Sequence, residues 1–258
     1  MTPPRTKPIL RWPGGKRRML PRLLPLIPAH VCYCEPFAGG LAVLLAKPRS
    51  EVEVVNDLNG DLVALYRNIQ YHLPELLREI EWFVSSRKNF VDFKAQPGLT
   101  EIQRAARFLL LNRTSFGGNM KSFAVARMRG GGATLDRVAV GDLLGAAHER
   151  LNKVVVENPP YERCLELYDS KDTFFFIDPP YLHAKINAYR GWTEAEMTAL
   201  RRKLDRVKGR WVLTLDGSEF NRRLFKDCKI ESVETVNGCV NSRTHSLRKF
   251  TEIIVTPA

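Results

Sequence analysis

A doubly wound α/β sheet, interrupted by a mostly helical insertion, is the fold this chain's pattern of apolar runs predicts. Three observations lead there. Apolar, strand-like runs alternate with helical periodicity in the amino-terminal part and again from residue 154. That alternation lapses between roughly residues 65 and 150. Several runs end in an acid or amide followed by a turn, most plainly "VVVENPPY" at 154–161 and "FFFIDPPY" at 174–181.

Taken in order, "VCYCEPF" and "EVEVVND" are the first two strands, joined by "AGGLAVLLAK", a glycine turn that continues as a short apolar helix and completes a β-α-β unit. "GDLVALYRNIQYHLPELLREIEWFV" has apolar residues at helical spacing, and Pro74 starts a second helix or kinks the first. The chain stays helical and basic to about Arg150, with a glycine-rich, loop-like stretch at 111–136. Strands "VVVEN", "TFFFID" and "RWVLTLD" follow, with helices at "TEAEMTALRRKLDRV" and near "SEFNRRLFKD". The final strands, "IESVETVNG" and "FTEIIVT", read as an antiparallel pair around the basic loop "NSRTHSLRK". Residues 1–64 and 151–258 are expected to form one domain and 65–150 the insertion.

Composition narrows the class. A 258-residue chain with 44% apolar and 26% charged residues can bury a substantial core. No apolar run is long enough for a membrane span, and the amino terminus has no secretory core, which fits a cytoplasmic protein. Five cysteines without C-x-x-C spacing or a histidine cluster predict neither zinc nor a disulfide framework, and no metal is expected. The net charge of +12 points to a phosphate-bearing partner. Between Glu101 and Gly130 that charge concentrates in Arg104, Arg107, Arg113, Lys121, Arg127 and Arg129 against one acid.

In an open sheet the ligand lies beyond the carboxyl ends of the strands, where strand order reverses. The order 3-2-1-4-5 puts the strand ending in Asp178 beside the strand ending in Glu35. Asp57 follows Glu35 by 22 residues, close to the spacing at which an acid accepts from ribose hydroxyls. Acids at strand ends would repel a pyrophosphate, but they suit S-adenosyl-L-methionine, which carries a sulfonium and an ammonium. The turn Asp178-Pro179-Pro180-Tyr181 then supplies the chemistry. A carboxylate and a proline carbonyl accept from an exocyclic amine and localise its lone pair, and Tyr181 stacks on a base turned out of its helix. The earlier copy, Asn158-Pro159-Pro160-Tyr161, falls toward the adenine end, as a cofactor edge or a structural turn.

These residues resemble the Dam-type, D12 class, S-adenosylmethionine-dependent DNA adenine N6-methyltransferases. The likeness rests on "LRWPGGKRRML", "EPFAGGLAV", "VVNDLNGDLVALYRNI", "LNRTSFGGN", "DPPY" and the closing "TEIIV", in that order. It implies a Rossmann-like methyltransferase sheet in which the region after Tyr66 is the target-recognition domain. It implies cofactor contacts from Trp12, Lys16, Glu35, Pro36, Phe37, Gly39, Asp57 and Asp178, and contacts to double-stranded DNA from Arg113, Asn119 and Lys121. Arg243, in the carboxyl-terminal basic loop, is a further DNA candidate. Two positions depart from the family pattern: Leu41 stands where a second glycine is usual, and Gly117 where many relatives carry asparagine. The alternative acceptor is adenine in structured RNA, and the alternative class is a DNA-binding relative without catalysis. Recognition sequence, restriction partner and oligomeric state are not encoded legibly.

Overall fold

The computed structural model describes residues 7–258 apart from 13, 97, 99, 125–134, 183–191 and 237–248, with only backbone described at 235, 236, 249 and 250. Its strands are β1 (Cys32–Glu35), β2 (Val52–Asn56), β3 (Val155–Glu157), β4 (Thr173–Ile177), β5 (Arg210–Asp216), β6 (Lys229–Val236) and β7 (Lys249–Thr256). They lie in the order β3-β2-β1-β4-β5-β7-β6. β1 is parallel to β2 and β4, β4 is parallel to β5, and β7 is antiparallel to β5 and β6. The expected 3-2-1-4-5 order is thus the observed one, and it reverses between β1 and β4.

The helices are α1 (Leu20–Leu23), α2 (Gly60–Tyr71), α3 (Leu73–Glu81), α4 (Arg87–Ala95), α5 (Glu101–Thr114), α6 (Arg137–Leu151), α7 (Tyr161–Tyr168), α8 (Glu194–Leu204) and α9 (Glu219–Leu224). Their starts follow local chemistry. Asn59 caps α2 by accepting from the Asp61 and Leu62 amides, and Thr100, Asp136 and Thr193 cap α5, α6 and α8 in the same manner. Pro74 sits in the first turn of α3, where its missing N–H costs nothing. No described helix is long and apolar enough to cross a membrane.

The chain divides into two compact units. The first comprises residues 1–17, 39–48 and 59–158, and the second 18–38, 49–58 and 159–258. The core of the second unit is built on β4, all five of whose residues are buried. Phe175 and Ile177 pack there with Leu213 and Leu215 of β5, Ile253 and Val255 of β7, Cys164 of α7 and Met197, Leu200 and Leu204 of α8. A strand apolar on both faces fits a parallel sheet covered on both sides. In the first unit, Gln70 at the end of α2 donates to the carbonyls of Leu151 and Val154, both at 2.8 Å. These bonds tie the end of α2 to the turn that follows α6.

One expected element is absent. "AGGLAVLLAK" forms consecutive turns rather than a helix, held by bonds from the Leu45 amide to the Leu41 carbonyl and from the Lys47 amide to the Val43 carbonyl. Gly39 (φ 44°) and Leu41 (φ 55°) are left-handed, which interrupts helical propagation, and Pro48 limits what remains. Leu41 is fully buried, so its packing offsets a backbone conformation that side chains disfavour.

Candidate active site

In the second unit, the neighbouring parallel strands β1 and β4 carry Glu35 and Asp178 at their carboxyl ends, with Cys34 paired to Phe175. Glu35 is almost fully buried and accepts a 2.7 Å bond from the Tyr33 hydroxyl. Burial pushes the Tyr33 phenol well above its ordinary range, and the charge of Glu35 adds to the shift. The Pro36 turn is pinned to the end of β2: the Asn56 side chain donates to the Pro36 carbonyl at 2.9 Å, and the Ala38 amide donates to the Asn56 carbonyl at 2.7 Å. Asp57, next in the chain, is 2% exposed. The Asn56 carboxamide oxygen is buried without a hydrogen-bond partner among the described residues, an acceptor in want of a donor.

Phe37 packs against Tyr161 and Trp192, with ring centroids 5.1 and 5.5 Å away. Tyr161 belongs to the earlier proline-proline-tyrosine turn, where it begins α7. That turn therefore supports the Phe37 ring. Burial, with Glu162 beside it, raises the Tyr161 phenol.

The turn after β4 is held by the strands beside it. Thr214 of β5 donates to one carboxylate oxygen of Asp178 at 2.7 Å, and the Leu182 amide donates to Asp216 at 3.3 Å. The Tyr181 hydroxyl donates to Glu252 of β7 at 2.8 Å. Burial raises the Tyr181 phenol most, followed by the charges of Asp178 and Glu252. Pro179 is buried, while Asp178, Pro180 and Tyr181 are half-buried. Sequence reasoning did not find Thr214, Asp216 or Glu252. The available signal was polar residues recurring inside strands that otherwise read as core.

In the first unit, Trp12 lies over the turn at Gly39 and Gly40. A Cβ at Gly39 would fall 2.9 Å from the indole nitrogen, and one at Gly40 would fall 3.0 Å from the Trp12 Cβ. Lys16 is buried, and its ammonium donates to the Gly14 carbonyl at 2.7 Å. The Tyr66 hydroxyl bonds the Gly39 carbonyl.

The end of α5 and the turn after it carry the other candidates of this unit. Arg113 has a buried Nε without a partner among the described residues, and its pKa is lowered by burial and then by the charge of Arg11. Asn119 is exposed and accepts from the Lys121 amide at 2.8 Å, closing a local turn. Lys121 is exposed, and its carbonyl accepts from Lys94. Gly117 (φ 59°) is left-handed, a conformation that glycine adopts without strain. The turn presents Phe116, 51% exposed, an aromatic that its glycine-rich context hid in the sequence. Arg243 lies outside the described residues.

Residues 12–238 match the D12 class N6 adenine-specific DNA methyltransferase family. The type II methyltransferase M1.LlaDCHI of Lactococcus lactis subsp. cremoris is 28% identical, over 97% of this chain and 95% of that one. M.CviBI of Paramecium bursaria Chlorella virus NC1A is 24% identical, over 85% of this chain and 86% of its own. M.MjaIII of Methanocaldococcus jannaschii is 25% identical, over 88% and 90%. The strand order, the acids at the strand ends and a match spanning most of the sequence agree: the chain belongs to the D12 class of N6 adenine-specific DNA methyltransferases.

Proposed function

We propose that the protein transfers a methyl group from S-adenosyl-L-methionine to N6 of an adenine flipped out of a specific double-stranded DNA sequence into the Asp178-Pro179-Pro180-Tyr181 turn. The observation that carries this reading is the adjacency of β1 and β4, which sets Glu35 and Asp178 at the ends of neighbouring parallel strands. The second unit's residues fit the donor chemically. Glu35 and Asp57 are buried carboxylates suited to an ammonium and to ribose hydroxyls, and the partnerless Asn56 oxygen suits a further donor. Phe37, backed by Tyr161, offers an apolar surface to a purine. Trp12, Lys16 and Gly39 are proposed as further donor contacts from their place in the sequence motif.

When bound, the cofactor supplies an electrophilic methyl on sulfur. Asp178 and the Pro179 carbonyl accept hydrogen bonds from the N6 amine, which draws the nitrogen lone pair out of the ring and toward the methyl carbon. With the donor bound, transfer to N6 would leave the carbon–sulfur electron pair on sulfur and a surplus N6 proton that would pass to solvent. Tyr181, fixed through its hydroxyl, stacks on the base. Rate enhancement comes from positioning and from preorganised acceptors. Arg113, Asn119 and Lys121 are proposed DNA contacts. The partnerless Nε of Arg113 suits a phosphate, and exposed Phe116 suits the base stack opened by flipping.

Labelled methyl transfer to unmethylated plasmid DNA and bulk RNA, for wild type and Asp178→Ala, tests the reading. N6-methyladenine in DNA that vanishes in Asp178→Ala is expected. Label in RNA alone, or activity that survives in Asp178→Ala, overturns it.

A further inference from the structure

We infer that Thr214 is a positioning residue for methyl transfer: its hydroxyl fixes the carboxylate of Asp178 in the orientation that accepts the target amine. The inference rests on the function proposed above and adds to it a residue that acts through Asp178.

Thr214 lies in the middle of β5, fully buried, in a strand whose residues from Trp211 to Asp216 are all buried. A hydroxyl in such a place costs free energy unless it is bonded. Two acceptors are near: Asp178 Oδ1 at 2.7 Å and the Ile177 carbonyl at 3.5 Å. One hydroxyl proton serves one of them well, and the shorter, charge-assisted bond to Asp178 takes it.

That bond has a geometric consequence. A carboxylate on a short stem rotates broadly about its last torsion. Fixing Oδ1 fixes the carboxylate plane and therefore the direction in which Oδ2 presents its lone pairs. The surrounding contacts hold the same turn from the same side. Thr214 and Asp216 are alternate residues of β5 and share a face of the sheet, and Glu252 is the cross-strand partner of Asp216. Asp216 holds the Leu182 amide and Glu252 holds the Tyr181 hydroxyl, so three acceptor or donor groups from one patch of sheet fix residues 178, 181 and 182. Of the three, Thr214 donates its bond to the carboxylate that meets the amine.

The experiment compares wild type, Thr214→Val, Thr214→Ser, Asp178→Ala and the Thr214→Val/Asp178→Ala double variant. Valine replaces the hydroxyl by a methyl of similar size, and serine restores it. Thermal melting and calorimetric S-adenosyl-L-methionine affinity check fold and cofactor site. Single-turnover methylation is measured on a duplex carrying the target mapped in the plasmid. Affinity is measured for that duplex and for one with purine, which lacks the amine, in place of the target adenine.

Thr214→Val is expected to slow single-turnover methylation by about tenfold or more while cofactor affinity stays within about twofold. It is also expected to reduce the preference for adenine over purine, and Thr214→Ser to restore both. In the Asp178→Ala background the valine change should produce no further loss of that preference, because the pair acts as one unit. A wild-type rate in Thr214→Val, a loss of preference that persists in the Asp178→Ala background, or a defect confined to melting overturns the inference. A wild-type protein that methylates no DNA overturns the proposed function, and this inference with it.

Discussion

The side chain of Asn112 closes both backbone hydrogen bonds of Arg11, a residue 101 positions away: its oxygen accepts from the Arg11 amide at 2.9 Å and its amide donates to the Arg11 carbonyl at 3.1 Å. The same amide donates to the Gly118 carbonyl at 3.0 Å. One fully buried carboxamide thus ties the segment carrying Trp12 to the turn carrying Phe116, within the first unit. Asn112→Ala leaves three backbone groups to find other partners and is expected to cost about 3 kcal/mol. Asn112→Asp keeps the bond from the Arg11 amide but aims its second oxygen at the Arg11 and Gly118 carbonyls and buries a charge, so it should be at least as destabilised as alanine. Urea unfolding of the three proteins checks the order, and an alanine variant as stable as wild type would remove Asn112 from this role.

Stability at alkaline pH follows from Tyr33. Its phenol is held neutral in the folded protein, first by burial and then by Glu35, so the folded pKa is raised above the unfolded value of about 10. The stabilisation is therefore complete below about pH 10 and is lost as pH rises beyond it, at up to about 1.4 kcal/mol per pH unit for this group. Tyr181 behaves in the same sense. Tyr33→Phe removes one titrating group, and its unfolding free energy should fall less steeply than wild type between pH 10 and 11. The same variant deprives Glu35 of its 2.7 Å donor and should weaken cofactor binding at neutral pH. Parallel slopes in the two proteins would contradict the argument.

Local chemistry made much of this architecture readable. An apolar run ending in an acid and two prolines has few ways to fold, and the order β3-β2-β1-β4-β5 followed once each run was taken as a strand. Glu35, Asp57 and Asp178 stood out as candidates because acids at the ends of buried strands are costly without a task. The hub at Asn112 and the contact from Thr214 to Asp178 were not, since they join residues 101 and 36 positions apart and nothing local announces them. The segment after Gly39 misled for a different reason. Its apolar periodicity is helical, but the left-handed backbone at Leu41 is set by packing that periodicity does not record.

That segment yields a paired prediction. Gly39→Ala places a methyl 2.9 Å from the Trp12 indole nitrogen on a backbone with φ 44°, so the ring must move or the turn must open. A stability loss of about 1–2 kcal/mol is expected from the left-handed alanine, together with altered tryptophan fluorescence and weaker cofactor binding. Leu41→Gly does the reverse: it relieves the backbone but empties a fully buried leucine site, for a net loss of about 2 kcal/mol or more. Fluorescence should report the first change and not the second. Equal spectra for both variants would mean Gly39 does not set the Trp12 position.

Arg113 offers the sharpest test of the proposed DNA contacts of the first unit. Its Nε is buried without a partner among the described residues, and Arg11 adds a like charge nearby, an arrangement that an anion would relieve. If that anion is a backbone phosphate, Arg113→Gln should weaken binding to target and non-target duplexes by similar factors, because phosphate contacts carry no base information. It should also flatten the salt dependence, lowering the slope of log affinity against log salt by about 0.9. A base contact would behave differently, leaving non-target binding almost unchanged while cutting the preference for the target. Affinities of wild type and Arg113→Gln across a salt series, on both duplexes, separate the two, and an unchanged slope with intact affinity would take Arg113 out of the interface.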